Sequence, residues 1–389
     1  MESSKGRGLY LNHNAENIFD LAVIGAGPSG SLAAALAAES GLSTIVLERR
    51  KHPRPKICGG FLSARAISLL PDDLKLSSLR AAPVCRVSVV KKRQSWIYTS
   101  QNRLGLVIDR PELDQLLADY ALSRGALLRE NKPLLKIIPP ETQEASGCHV
   151  LKCGNNPEAL IKARFLIGAD GALGNTARLA GLRKSGPGPV GWGLSMIRQA
   201  DLQVTEPGRL EFYPLPFLGG MGWSFSGPGW TNCGVGGFSS RGLLGRAFRK
   251  LFPGAPLSPK PSSWPLPFLG PLQKPASGNV ILIGDASGLV EPFSGEGLYN
   301  SFKSAIMAVH AVRLAIRGKS EAAPLYTAAF RKQFRKSYAA GRNGIVHLYI
   351  RSLFAPSTLP PLMAALMENR LRPGGRNSLS GMTDAVSPD

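Results

Sequence analysis

Cysteine is scarce in this 389-residue chain: there are five, at positions 58, 85, 148, 153 and 233. No two have C-x-x-C spacing, and the number is odd. That argues against a zinc ribbon, a four-cysteine iron–sulfur centre and a secreted disulfide framework. No metal site is expected, and a reducing cytoplasm is the expected compartment. Acidic residues are scarce as well: 26 Asp and Glu face 47 Lys and Arg, for a formal charge of +21. Such a balance favours anionic partners such as nucleic acid, anionic lipid or phosphorylated small molecules. The excess is strong between Arg313 and Arg376, where the acids are Glu321 and Glu368. The compact run Arg331-Lys332-Gln333-Phe334-Arg335-Lys336 has no nucleic-acid motif around it, so nucleic acid is not an expected partner. No cationic start followed by an apolar run marks a signal peptide. No apolar run reaches the ~18 residues of a membrane span. The nearest, Ile345 to Met367, is broken by Arg351, Pro356, Pro360 and Pro361. Packing on the protein's own core is the leading expectation for it. Lying on an anionic membrane as a peripheral contact is the other.

What is present is the composition of a folded chain, 43% hydrophobic and 19% charged, with 44 Gly and 31 Pro. Phe19 to Ile24 reads as a buried strand, Ser31 to Glu39 as a helix ended by Gly41, and Ser43 to Leu47 as a second strand closed by Glu48. Together they make one βαβ unit. Leu62 to Leu70 and Pro111 to Ser123 look helical. Strands are expected at Val84–Val90, Ser95–Thr99, Leu106–Ile108, Lys136–Ile138, Cys148–Lys152 and Ala163–Ile167. Residues 183–273 change texture, to Gly, Pro and aromatics in short alternating runs such as Gly208–Tyr213 and Trp223–Phe225. They read as a mostly antiparallel sheet. Val280–Ile283 is a further buried strand, with helices at Leu298–Arg317 and Ala322–Ala340.

Between the first strand and helix stands Gly25-Ala26-Gly27-Pro28-Ser29-Gly30. A lone G-x-G-x-x-G is weak, but here a strand precedes it, a helix follows, and the next strand ends in an acid. Gly25 permits the tight turn, Gly27 lets the backbone approach a pyrophosphate, and Gly30 lets helix and strand pack closely. The helix start offers free N–H groups and partial positive charge to phosphate. Glu48 is placed to accept hydrogen bonds from ribose hydroxyls, which disfavours a 2′-phosphate. NAD and FAD both remain open on these residues.

Four further segments carry a family resemblance: Lys56-Ile57-Cys58-Gly59-Gly60; Leu166 to Arg178, containing Gly168-Ala169-Asp170-Gly171; Val280 to Gly288, containing Gly284-Asp285; and Pro292-Phe293-Ser294-Gly295-Glu296-Gly297. With the glycine turn they make the chain resemble, from about residue 19 to 318, the geranylgeranyl reductase family of FAD-dependent oxidoreductases, built like para-hydroxybenzoate hydroxylase. The resemblance implies an α/β fold. Its parts are a Rossmann-type FAD-binding domain, discontinuous in sequence (1–82, 104–130, 164–182 and 276–318), a mostly antiparallel β-sheet substrate domain (83–103, 131–163 and 183–275), and a C-terminal helical, basic segment (319–389). It implies FAD as cofactor and NAD(P)H as transient reductant. The implied cofactor set is Gly25, Gly27, Pro28, Ser29, Gly30, Glu48, Arg49, Lys56, Cys58, Gly59, Arg110, Asp170, Gly171, Gly284, Asp285, Pro292, Gly295, Glu296 and Gly297. Within that set, Asp285 serves the ribityl chain or pyrophosphate, and Arg110 the FAD phosphate or ribose. Gly295 and Gly297 bring main-chain N–H groups to the flavin, where donors stabilise its reduced form.

No proton donor is evident. Cys58, Trp223, Phe225 and Phe293 are the candidates lining the flavin. The family's P-x-x-Y-x-W-x-F-P tunnel segment is replaced by Leu218-Gly219-Gly220-Met221-Gly222-Trp223-Ser224-Phe225-Ser226, in which Trp223 and Phe225 alone match. On a strand these two share a face, suited to an apolar ligand.

The leading expectation is reduction of a carbon–carbon double bond in a prenyl or similar lipid chain. Hydroxylation or epoxidation of an aromatic or polyketide-like substrate, with NAD(P)H and oxygen, is the rival. Halogenation expects a W-x-W-x-I-P segment that is missing here. Quinone-linked electron transfer expects clustered cysteines, also missing. A non-catalytic FAD-binding scaffold is the last reading.

Overall fold

The structure, a computed structural model, describes residues 18–91, 94–140, 148–154, 160–183, 191–198, 206–253, 263–267, 272, 274–292 and 294–354. β1 (Ile18–Ile24) runs through the glycine turn into α1 (Pro28–Glu39), and β2 (Thr44–Leu47) follows. Pro28 sits in the first turn of α1, where its missing N–H costs nothing. α1 is built largely of alanine and is buried on nearly every side, because it lies between the sheet and two other helices. Small side chains are what allow that approach.

Next come β3 (Phe61–Ser63), the single turn α2 (Ala64–Ile67), β4 (Ala81–Val84), β5 (Arg86–Lys91), β6 (Gln94–Thr99), β7 (Gly105–Ile108) and α3 (Arg110–Ser123). They are followed by β8 (Leu127–Arg129), β9 (Leu134–Ile138), β10 (His149–Cys153), β11 (Leu160–Gly168) and the short α4 (Thr176–Leu179). The antiparallel region holds β12 (Gly191–Arg198), β13 (Arg209–Pro214), β14 (Met221–Gly227), β15 (Trp230–Gly237), α5 (Arg241–Leu251) and β16 (Ser263–Leu266). β17 (Ala276–Ser277), β18 (Val280–Leu282), α6 (Leu298–Ile316) and α7 (Ala322–Phe354) complete the described chain.

The first sheet runs β17-β18-β11-β1-β2-β8, parallel from β18 to β8, with β10 and then β9 attached beside β11. The second runs β16-β12-β15-β14-β13-β5-β6 and is antiparallel except between β13 and β5. A small third sheet, β3-β7-β4, contributes to the same apolar cluster as the second. The mixed α/β class expected from the sequence is therefore observed.

Three expectations need correction. Residues 131–163 do not join the second sheet. β11 pairs with β1 along one edge, and its other edge is shared: Leu160–Ala163 bind β10 antiparallel and Leu166–Gly168 bind β18 parallel. β9 and β10 thus extend the first sheet, and Leu134, Ile137, Leu151 and Ile161 fill one core with Ile24 and Leu47. The helix expected over Leu62–Leu70 shrinks to one turn, because Phe61–Ser63 pair with Gly105–Val107. Ser63 instead caps the turn, its Oγ accepting the Ala66 N–H at 3.3 Å. The last helix runs past Ala340 to Phe354, so residues 345–354 of the apolar stretch 345–367 are helical; residues 355–367 lie outside the described ones.

α7 closes the first sheet's core with Tyr326, Phe330, Phe334 and Tyr338, one every fourth residue on a single face and each 1% exposed. Neighbouring rings meet at centroid distances of 5.6, 5.1 and 6.3 Å. The buried hydroxyls are satisfied: Tyr326 donates to the Leu282 carbonyl at 2.8 Å, and Tyr338 meets the Asn300 amide at 3.0 Å. Among the described residues no helix is long and apolar enough to cross a membrane.

Candidate cofactor and active site

One cleft of about 680 Å³ passes between the first and second sheets, within the size range of ligand sites. Its polar end lies at the C-terminal ends of β1, β2 and β11, the usual place for a ligand on a parallel sheet. Gly25 has φ +102°, and a Cβ there would fall 2.6 Å from the Ala169 carbonyl oxygen. A Cβ on Gly30 would fall 1.9 Å from the Gly25 carbonyl oxygen. Gly30 is thus a packing residue behind the turn, while Gly25, Gly27, Pro28 and Ser29 border the cleft. No side chain caps α1 and no acid sits in its first turn, so its positive end faces the cleft unneutralised.

Glu48 is buried at the end of β2. One carboxylate oxygen accepts the Ala26 N–H at 2.8 Å and the other the Arg50 N–H at 3.0 Å. Each oxygen keeps a lone pair for a ribose hydroxyl. Arg49 borders the cleft beside it. Asp170 is fixed from one side, its Oδ2 accepting both the N–H and the hydroxyl of Thr176 at 2.8 Å. Its Oδ1 is buried and has no hydrogen-bond partner among the described residues. Burial pushes the Asp170 carboxyl above its ordinary range, against the pull of Thr176. An unneutralised helix start, an unpaired buried carboxylate oxygen and a glycine-walled passage all fit a dinucleotide with hydroxyl and phosphate groups.

Midway, Arg110 is buried and ion-paired with the wholly buried Asp114, Nε to Oδ1 at 3.0 Å. Burial alone would lower the Arg110 pKa, but Asp114 and the Cys58 sulfur more than offset it. Arg54 reaches both Glu48 and Asp114 at 3.6 Å. Lys56 stands in the cleft wall with its Nζ 4.5 Å from the centre of the Trp264 ring. Burial lowers the Lys56 pKa, against the attraction of Asp285. The Cys58 Sγ accepts the Gly60 N–H at 3.4 Å.

At the far end, Asp285, Pro292, Gly295 and Gly297 border the cleft, as do Gly59 and Gly171. Gly284 lies behind them; a Cβ there would press on the hydroxyls of Ser29 and Ser301 at 2.9 and 3.0 Å. The expectation that Gly295 offers its N–H to a flavin is corrected, since that N–H donates to the Glu291 carbonyl at 2.9 Å. The Glu296 N–H likewise turns to the Ser294 hydroxyl at 3.3 Å. The donors at this end belong instead to the start of α6, capped by Gly297 with no side-chain cap. Glu296 does not reach the cleft. Its carboxylate is held by Ser63 and by Arg65, whose Nε lies at 2.9 Å. Phe293 lies outside the described residues.

The opposite wall is aromatic and apolar: Phe212, Met221, Trp223 and Phe225 from β13 and β14, and Trp264 and Leu266 from β16. Trp223 and Phe225 do share a face, with ring centroids 6.5 Å apart. Sequence reasoning missed Arg54, Asp114, Trp264 and Asn232. Asp114 carried a signal, an acid four residues after Arg110 on a helix. Arg54 sits in a loop, Trp264 on a strand whose partner β12 is far away in the chain, and Asn232 on a hairpin whose contact with Cys58 spans 174 positions.

Comparison with known proteins agrees with this geometry. Residues 19–217, just over half of the chain, match the family described as FAD binding domain, and the chain belongs to that family. The protein is accordingly an FAD-dependent oxidoreductase with FAD as its cofactor. Its resemblance to the geranylgeranyl reductase family holds in the relatives. Digeranylgeranylglycerophospholipid reductase of Methanosarcina acetivorans is 27% identical over 363 residues, covering 87% of this chain and 85% of the relative. Menaquinone reductase of Mycobacterium tuberculosis is 29% identical over 384 residues, covering 91% and 90%. A geranylgeranyl bacteriochlorophyll reductase-like protein of Thermoplasma acidophilum shares the fold with a TM-score of 0.75 at 22% identity, over 95% of this chain and 96% of that one.

Proposed function

We propose that the protein reduces a carbon–carbon double bond of a prenyl or similar lipid chain, with NAD(P)H as the transient reductant. One observation carries this reading: a cleft joins a glycine-walled end with free helix N–H groups and fixed carboxylates to a wall of aromatic and aliphatic side chains from β13, β14 and β16. Reduced FAD, when bound, supplies the hydride equivalent. Gly25, Gly27 and the start of α1 would hold its pyrophosphate, Glu48 its ribose, and Asp170 and Asp285 its remaining hydroxyls. Trp223, Phe225, Met221 and Phe212 would lay the apolar chain along the reacting ring and keep water out. Cys58 and Gly59 would lie between ring and wall. In this reading the cofactor unit includes residues 131–163, and the strands β12 to β16 form the substrate unit.

Relatives whose names specify lipid-chain and quinone reductases favour this over oxygen insertion. The test is anaerobic. FAD-loaded protein, reduced by dithionite or NADPH, is given a geranylgeranyl lipid, and mass spectrometry should show a gain of two hydrogens per double bond. Oxygen-dependent gain of one oxygen atom would replace the reading with a hydroxylase. Failure to retain FAD after reconstitution would end it.

The same reading includes peripheral contact with an anionic membrane. Exposed Arg331, Lys332, Arg335 and Lys336 on α7 are followed by exposed Val346 and Ile350, a charge and apolar sequence suited to a lipid surface. Phosphatidylglycerol vesicles should carry the protein in flotation, and phosphatidylcholine vesicles should not. A cytoplasmic location belongs to the same reading, on the odd number of cysteines and their lack of C-x-x-C spacing.

A further inference from the structure

Asn232, on β15, matches no cofactor pattern and does not border the main cleft. It is 2% exposed and lines a small cavity behind Cys58, together with Arg110 and Trp230. Its amide makes two hydrogen bonds. Oδ1 accepts the Trp223 indole N–H at 3.0 Å, and Nδ2 donates to the Cys58 carbonyl at 2.7 Å. One side chain thus ties the aromatic wall to the loop that carries Cys58 along the cofactor, a link between residues 174 positions apart in the chain.

A second contact holds the same spacing. A Cβ on Gly59 would fall 2.7 Å from Phe225 Cε2 and 3.5 Å from Trp223 Nε1. The loop backbone is therefore laid directly on the two rings. An amide suits the joint because it offers an acceptor and a donor on one planar group, which neither a carboxylate nor an apolar side chain can do. Both of its partners are half-buried in the cleft wall, so loss of the amide would leave the Cys58 carbonyl and the indole N–H without this partner.

The geometry points to Asn232 as a positioning residue that sets the height of Cys58 and Gly59 over the aromatic wall, so that a ligand pressing on Trp223 and the cofactor-side loop move as one body. This rests on the cleft being the FAD site with the aromatic wall as its substrate side.

The test uses FAD-loaded protein without substrate. Iodoacetamide labelling of Cys58 is followed by peptide mass spectrometry, with the exposed Cys85 as internal reference, alongside the flavin absorption spectrum. Asn232→Leu removes both bonds and should speed Cys58 labelling relative to Cys85 by roughly tenfold, the size expected from freeing the Cys58 carbonyl, and displace the flavin bands. Trp223→Phe removes the indole donor alone and should give a smaller rise. The double variant should be no faster than Asn232→Leu, since both act through one joint. Wild-type labelling and spectrum in folded Asn232→Leu would overturn the proposal. If that variant does not fold, a wild-type labelling rate in Trp223→Phe would overturn it. Neither readout needs turnover, so a failure to reduce a prenyl double bond would end the functional reading and leave this one intact.

Discussion

The two ends of the cleft are built on different rules. At the phosphate end the contacts are main-chain groups, glycines and two fixed carboxylates, Glu48 and Asp170, all supplied within a few residues of a strand end. At the aromatic end they are side chains from β13, β14 and β16, with the backbone already committed to its sheet. The first construction tolerates almost no change, because a glycine that touches backbone has no rotamer to adjust. The second can be repacked ring by ring. In the proposed reading a cofactor common to many reactions would occupy the rigid half, and the choice of substrate would fall to the adjustable half.

Substitutions can break or sharpen that contrast. The largest effect is expected at Gly30, where Ala would put its Cβ 1.9 Å from the Gly25 carbonyl oxygen. A cost of more than ~3 kcal/mol in urea unfolding and near-complete loss of bound flavin should follow. Asp114→Ala comes next. It leaves the buried Arg110 guanidinium without its ion pair, which costs about 3 kcal/mol by the same measurement. Trp223→Phe should slow turnover by about tenfold while the protein keeps its FAD, since one apolar contact discriminates by that order. Should Trp223→Phe lose flavin before it loses turnover, the division between rigid and adjustable halves would fall. The smallest effect is a pH dependence. The Asp170 carboxyl holds its proton above the ordinary value of 3.8 in the folded state. FAD-free protein should therefore lose stability as pH rises past that value, levelling off above the raised folded-state pKa. Asp170→Asn should flatten this segment of a thermal-melt profile.

The rigid half was the more legible of the two in the sequence. Strand, glycine turn, helix, second strand and acid follow one another from Ile18 to Glu48, so local pattern and tertiary role coincide. Asp170 and Asp285 became readable through short flanking patterns. The β9–β10 hairpin was misplaced because its own residues do not show which edge of β11 it joins. Leu62 and Ser63 looked helical, but pairing with β7, more than forty residues on, overrides local propensity there. Gly295 stayed ambiguous because a glycine in a turn shows where a backbone can bend and not where its N–H points. Trp264 is legible only once β16 lies beside β12, about seventy residues earlier, and Asn232 only once its hairpin meets the loop at Cys58.

The aromatic ladder on α7 also bears on when the core of this chain can first close. A ribosome completes the glycine turn early, but β18 with Asp285 comes late and the rings from Tyr326 to Tyr338 later still. Until residue 338 has left the exit tunnel, α6, β17 and β18 lack the helix that packs on them, and the nascent chain carries that surface exposed. The chain's first motif and one of its last helices thus share one core, which closes only once residue 338 is out.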